Sequence, residues 1–337
     1  CNVAVLASDI NWNAYNSFGG RSNYIHASGF PATPTINSRL ELKRYVYADH
    51  MTYSTEQYAP LSLDRPDPYN HIPNSEELDS PIQGRQGCHL ASAEWRFLGW
   101  MEREGFEYDY YSETQLHFDV VPLDEYDVLV ISVHPEYWSV KMVEQLKKWV
   151  HEDGGKLIYL GGNGLDCEAE FLDDHRIIYQ NTKWSHTGQN YAESGEPQES
   201  RMHRRHESQA GLLGQVFTWP GAMTAAPYEV INPSHWCFSD TGLGRGDLFG
   251  TESLHQRVPG GASGHETDKI SPFSPENTEL LAKGLNQDDG GAHMVYYDVP
   301  SGGEVFSVGS ICWNACIVVD DNISTITANV LRRFSGQ

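Results

Sequence analysis

Basic residues are scarce in this chain: 23 Lys and Arg face 46 Asp and Glu, a formal net charge of −23 over 337 residues. With no Lys/Arg-rich tract, a phosphate backbone is repelled rather than attracted, which excludes nucleic acid as the main partner. Long apolar runs are lacking too. The run Val128–Val133 is far shorter than the roughly 20 residues a helix needs to cross a bilayer, and no signal-peptide pattern opens the chain, so no membrane partner is expected. The six cysteines (Cys1, Cys88, Cys167, Cys237, Cys312, Cys316) form no CxxC or CxxC…HxxxH arrangement. That excludes the common zinc motifs and reads as reduced, cytoplasmic usage. Cys312 and Cys316, on either side of Trp313, read as small core hydrophobes. Internal repeats and low-complexity tracts are also missing, which excludes solenoids and linkers.

Hydrophobic residues make up 39% of the chain, enough for a core in one large or two ordinary domains. The chain opens on Cys1 rather than Met, directly before a strand, which predicts that something upstream is missing. An N-terminal Cys can serve as the nucleophile of a self-processed hydrolase, but NVAVLAS reads as an ordinary buried first strand followed by a loop. AYNSFGGRSNY is a Gly-rich turn, and residues 25–87, rich in Pro, Asn, Asp and Tyr, form a long loop excursion. CHLASAEWRFLGWMEREG places Leu90, Ala93, Phe97, Trp100 and Met101 at helical spacing with Gly105 at the C-cap. FEYDYYSE reads as a second strand, residues 128–132 as a third, 140–152 as an amphipathic helix and 157–160 as a fourth strand ending in GGNG. Residues 166–256 dissolve into a loop-rich insertion. HMVYYDV, PSGG and EVFSVGS signal a hairpin, and ISTITANVLRRF a last helix. The alternation predicts one α/β domain over residues 1–337: an open, mostly parallel, doubly wound sheet that resembles the class I glutamine amidotransferase fold.

In such a sheet the loops after successive strands emerge at the carboxyl edge, where these folds keep their ligands. AYNSFGGRSNY then lies beside VHPEYW and GGNG. The first loop offers phenols at Tyr15 and Tyr24, with Gly19 and Gly20 between them to reverse the backbone. The second offers His134 and Glu136, held by Pro135. Two phenolates and a carboxylate make a hard, anionic oxygen set that suits a small, highly charged cation better than zinc or copper. Tyr occurs 18 times, however, and a Tyr near a strand end also serves as a packing residue with its hydroxyl at the rim. Spacing alone leaves both readings open. Trp12, Phe18 and Trp138 nearby predict a small apolar pocket.

AYNSFGGRSNY, AEWRFLGWMEREGFEYD, VHPEYW, YLGGNG, GHETD and SICWN, in that order, resemble the C-terminal catalytic half of the large (beta) subunit of N,N-dimethylformamidases, from about Val3 to the final helix. The resemblance implies a hydrolase that cleaves a small N-substituted formamide or related amide at a mononuclear ferric (Fe3+) centre. By motif, the metal ligands fall on Tyr15, Tyr24 and Glu136, and catalytic roles on His134 and Glu266. It also implies an oligomer, built from copies of the chain and/or with a second small subunit or a cleaved upstream chain. The family's upstream β-rich domains have no counterpart in these residues. Two details depart from the pattern and bear on the substrate rather than the metal: the spacing between Tyr15 and Tyr24 is shorter, and His265 replaces a tyrosine before the acidic residue. Plainer roles exist for two of these groups. His134 can bridge the strand end to backbone carbonyls, and Glu266 can be a surface-turn carboxylate near Asp268 and Lys269. Glutamine amidotransferases place a Cys in the turn after a strand. YLGGNG carries Asn163 there, so the competing reading is a non-catalytic small-ligand or subunit-binding domain of that fold.

Overall fold

The computed structural model describes residues 1–16, 22–23, 25–27, 50–52, 60–66, 89–180, 198–255 and 257–337. Strand β1 (Val3–Ala7) is buried along its whole length. It runs straight into helix α1 (Asp9–Tyr15), where a loop was expected, so Tyr15 is the last residue of a helix. Most of the excursion expected over 25–87, together with Phe18, Gly19, Gly20, Tyr24 and Cys88, lies outside the described residues. Short strands at Ile25–Ala27, His50–Thr52 and Leu61–Ser62 are described within it.

Helix α2 (Ala91–Glu104) stops at Gly105, whose φ of 78° is the left-handed C-cap that favours glycine. Strand β2 (Asp109–Ser112) leads into α3 (Glu113–His117), opened by a capping box between Ser112 and Gln115. Strand β3 (Val128–Val133) and helix α4 (Val140–His151), capped by Ser139, follow as expected, and β4 (Lys156–Gly161) ends at the GGNG turn. The later elements are β5 (Tyr228–Val230), β6 (Leu248–Phe249), β7 (Glu279–Gly284), β8 (His293–Asp298), β9 (Glu304–Ser307) and α5 (Asp321–Ser335).

These strands form one sheet in the order β6-β5-β7-β8-β9-β4-β3-β1-β2. From β9 to β2 every pairing is parallel, but β6, β5, β7 and β8 pair antiparallel with one another and with β9. The sheet is therefore mixed, which corrects the mostly parallel expectation. The hairpin between β8 and β9 is the cause, because a tight turn reverses the chain where a parallel connection needs a long crossover. A second correction concerns residues 166–256: β5 and β6 belong to the main sheet. They are three and two residues long, too short for a period-2 pattern to show.

Alternation along the parallel strands feeds two cores. Val3, Val5, Val128, Val130, Ile158 and Leu160 meet Phe97, Trp100 and Met101 of α2 and Ile326, Val330 and Phe334 of α5 on one face. Ala4, Leu6, Leu129, Ile131, Leu157 and Tyr159 meet Ile10 of α1 and Met142, Leu146 and Val150 of α4 on the other. Burial of each such aliphatic side chain contributes roughly 1.5–3 kcal/mol, and two covered faces explain why the strands read as continuous apolar runs. Cys312 and Cys316 are both buried, Cys316 within the first of these layers, as expected of core cysteines. No helix of the described residues is long and apolar enough to cross a membrane.

Because β1, β3, β4 and β9 are parallel, their C-terminal ends share one edge. That edge carries α1, the His134 turn, the GGNG turn and residues 308–311. The segment Thr267–Lys269 is tied to it by a bridge between Thr267 and Ser310.

Candidate active site

Three turns at this edge hold non-glycine residues in the left-handed region: Val133 (φ 64°), Asn163 (φ 53°) and His265 (φ 65°). For a β-branched residue such as Val133 this is a strained conformation that the surrounding structure must hold. In each case the strained residue presents a polar side chain: His134 and Glu266 follow directly, and Asn163 presents its own. Gly162 lets two of these turns touch, since a Cβ there would lie 2.4 Å from the Glu266 carbonyl oxygen and 2.9 Å from the Ile311 nitrogen.

Four of the five sequence-predicted site residues converge. The Tyr15 hydroxyl donates to Glu136 Oε2 at 3.0 Å and lies 3.2 Å from His134 Nε2. His134 Nε2 is 3.0 Å from Glu136 Oε2 and 3.6 Å from Glu266 Oε2. Tyr24 lies outside the described residues. The structural role for His134 holds, because its Nδ1–H donates to the Gly162 carbonyl at 3.0 Å and so turns Nε2 toward the three oxygens. Asn163 Nδ2 donates to Glu266 Oε2 at 3.0 Å. Glu266 is a cavity residue with a side chain 25% exposed, between the buried cluster and the open space.

Electrostatics fix the roles of the oxygens. Burial pushes the Glu136 carboxyl up, but the Arg201 guanidinium and the His134 imidazole outweigh it and hold Glu136 well below the usual carboxylate range. Burial likewise opposes charge on His134, yet the Glu266 and Glu136 carboxylates raise it to about 9. For Glu266, burial wins over the attraction of His134, and its carboxyl lies above its ordinary value. Arg201 pairs with Glu136 Oε1 and, at 2.6 Å, with Asp166 Oδ2. Glu136 therefore keeps only Oε2 for the Tyr15 side. Beneath the turn, Asp268 accepts from the Asn163 backbone N–H at 2.7 Å and from the Tyr159 hydroxyl at 2.9 Å.

The cluster opens into a cavity of about 610 Å³. Its apolar wall is Val216, Phe217, Trp219, Met223 and Ile270. The expected wall is corrected on this point: Trp12 and Trp138 turn their indole N–H groups away to Glu94 and Glu113, at 2.8 and 2.7 Å. Both rings serve buried carboxylates instead. The residues that sequence reasoning missed are Arg201, Asp166 and His89. The His89 ring stands edge-on to Tyr15 at 4.7 Å, to His134 at 5.7 Å and to His265 at 5.3 Å between centroids. A signal for Arg201 existed, since a buried carboxylate at position 136 demands a cation, and RMHRRH is the densest group of arginines in the chain.

Among the described residues, no three His, Cys, Asp or Glu side chains group as a metal-holding set. What makes this cluster a candidate centre is the phenol oxygen of Tyr15 beside the single outward oxygen of Glu136. The 3.0 Å between them is a spacing that neighbouring donors on one small ion can adopt.

A mixed α/β sheet with strained polar turns at its carboxyl edge, converging on a cavity, defines an α/β protein with an enzyme-like site. The chain belongs to the family described as N,N-dimethylformamidase beta subunit-like, C-terminal, which it matches over residues 1–324. It is 26% identical to the N,N-dimethylformamidase beta subunit of Paracoccus aminophilus over 287 residues, 72% of this chain and 36% of that protein. The beta subunit from Alcaligenes sp is also 26% identical, over 283 residues and the same shares. The chain thus spans about a third of the length of these relatives.

Proposed function

We propose that the protein is an amide hydrolase that cleaves a small N-substituted formamide or related amide at a ferric centre held by Tyr15, Tyr24 and Glu136. The observation that carries this reading is the convergence of Tyr15, His134, Glu136 and Glu266 on one cavity, in a chain of the dimethylformamidase beta-subunit family. The donor chemistry fits: phenol and carboxylate oxygens suit a hard, highly charged cation, and Arg201, itself held by Asp166, keeps Glu136 ionised and oriented. A ferric ion there supplies Lewis-acid polarisation of the amide carbonyl.

The chain's own residues do the rest. Glu266, at the cavity surface and oriented by Asn163, takes a proton from the attacking water as its oxygen bonds to the carbonyl carbon. As the C–N bond breaks, the same carboxyl returns the proton to the departing nitrogen, giving a carboxylic acid and an amine. His134 can offer no proton through Nδ1, which is committed to Gly162. Its Nε2 edge steadies the Glu266 carboxylate and an oxyanion developing beside it. The family relatives are beta subunits, which supports assembly with a partner subunit.

The test is metal analysis with a visible spectrum and an assay on N-substituted formamides, using the protein together with any copurifying subunit. Tyrosinate bound to ferric iron absorbs visible light, so a coloured, iron-containing, amide-cleaving protein is expected. An iron-free, colourless protein without turnover that still binds a small ligand would favour a non-catalytic binding domain instead.

A further inference from the structure

Two polar groups of the cavity wall, His265 and Arg257, have no part in the hydrolysis just described. The backbone N–H of Val258 donates to His255 Nδ1 at 3.0 Å, so the neutral His255 imidazole carries its proton on Nε2. That proton meets His265 Nδ1 at 3.1 Å, and His265 must then carry its own proton on Nε2. Among the described residues this is the one side-chain hydrogen bond of His265. Because the ring lines the cavity, the Nε2–H is left for a ligand. Burial, helped by the neighbouring His89 and His255 rings, pushes the basicity of His265 far down, so the donor is a neutral imidazole. Its backbone is pinned as well: its N–H donates to the Thr224 carbonyl at 2.9 Å, and its carbonyl accepts from the Met223 N–H at 2.7 Å.

The turn that fixes this tautomer also carries Arg257, between His255 and Val258, and so sets the guanidinium on the same wall. Arg201, the other arginine of the cavity, is neutralised by Glu136 and Asp166. Arg257, by contrast, forms no ion pair or hydrogen bond among the described residues. An uncompensated cation beside a fixed neutral N–H donor, in a chain of net charge −23, is an arrangement that selects an anionic oxygen group.

We infer that, granted amide hydrolysis at this site, Arg257 and His265 Nε2–H together recognise a carboxylate on the substrate, which makes N-acyl amino acids, N-formyl amino acids first, the substrate class. A planar carboxylate offers one oxygen to each donor. A phosphate dianion would meet the Glu136, Asp166 and Glu266 carboxylates in the same cavity. The wall of Val216, Phe217, Trp219 and Met223 suits an apolar amino-acid side chain.

The experiment uses Glu266→Gln protein, to suppress turnover, and compares N-formylphenylalanine with its neutral C-terminal amide by calorimetric titration. The carboxylate is expected to bind about tenfold more tightly, the worth of one charge-assisted hydrogen bond, with a preference that shrinks as salt rises. Arg257→Gln should close the gap. His255→Leu, which frees the His265 tautomer, should reduce it, and His255→Gln, whose amide N–H can still donate to Nδ1, should restore part of it. Equal binding of the two ligands, no binding of either, or a gap that survives Arg257→Gln would overturn the inference. Wild-type turnover separates it from the reading beneath. A protein that hydrolyses neutral formamides yet binds no carboxylate preferentially keeps the amidase and loses the anion site. One that binds the carboxylate through Arg257 and hydrolyses nothing keeps the anion site and loses the amidase.

Discussion

The hydroxyl of Tyr15, on the last residue of the first helix, donates to Glu136 Oε2 at 3.0 Å, three residues past the end of a strand 121 positions away in sequence separation. This bond joins the helix after β1 to the turn after β3 at the point where a metal is proposed. Tyr15→Phe should remove one ligand oxygen, so iron content and visible absorption should fall sharply in metal analysis and spectroscopy. The ring keeps its edge contact with His89 at 4.7 Å, so stability should change by only about 1 kcal/mol, the worth of one hydrogen bond. Full iron content in this variant would remove Tyr15 from the proposed ligand set.

Glu266→Gln keeps size and the reach to Asn163 but cannot accept a proton. Amide turnover should fall about 100-fold or more while iron is retained, the usual worth of a general base. Unchanged turnover would return Glu266 to the plainer role of a turn carboxylate.

Arg201 sits between Glu136 and Asp166, and all three side chains are buried, with Arg201 itself 7% exposed. Arg201→Met would leave two buried carboxylates without their cation, and unfolding in urea should show a loss of about 3–5 kcal/mol. Arg201→Lys should recover little of it, because an ammonium cannot serve two carboxylates in the geometry of a planar fork. A loss below about 1 kcal/mol would mean that the pair is not intact in solution.

The contrast between Tyr15 and Arg201 shows what the chain's own letters reveal. β1, β3, β4 and α4 are legible because their burial follows a simple rule, continuous for strands covered on both faces and periodic for a helix covered on one. The segments that follow the parallel strands, helix α1 after β1 and the turn after β3, inherit their position from the parallel arrangement, which is why Tyr15, His134 and Glu136 can be brought together from sequence. Arg201 comes from a turn with no periodicity, and its place depends on long-range pairing with Asp166 that no local pattern encodes. The same holds for β5 and β6, which exist as strands because the sheet edge offers them partners. The tautomer chain from His255 to His265 is invisible to sequence, because it needs the proton positions that only a folded hydrogen-bond network assigns.

A pH effect on stability should come from Glu94, buried where α2 meets the start of α1. Its carboxyl is pushed up to about 8 by burial, against the stabilising N–H donors of Trp12 and Ser8, with Asp9 adding repulsion. A folded-state value above the unfolded 4.5 means that the folded protein keeps this proton where the unfolded chain has lost it. Its contribution is therefore complete below about pH 4.5 and declines as pH rises toward 8. The decline should reach a few kcal/mol. Glu94→Gln, which cannot titrate, should flatten the fall in Tm between pH 5 and 8 relative to the parent. Parallel Tm curves for the two proteins would show that Glu94 is ionised throughout.

Glu136→Asp gives the narrowest test of the proposed centre. The Glu136 carboxylate has divided duties, with Oε1 on Arg201 and Oε2 facing Tyr15 and His134 at 3.0 Å each. Withdrawing the carboxylate by one methylene keeps the charge but cannot keep both sets of contacts, because the ends they reach toward are held by separate elements. If the Arg201 pair is kept, the Tyr15 side opens, and ligand distances tolerate only about 0.2 Å of error. Iron should then bind weakly and turnover should fall, with stability close to the parent. If the Tyr15 side is kept instead, Arg201 loses a partner, and stability should drop while some iron remains. Metal analysis and urea unfolding on the same preparation distinguish these cases. An Asp variant with parental iron content, turnover and stability would mean that Glu136 neither holds a metal nor anchors Arg201, and the centre proposed here would have to be abandoned.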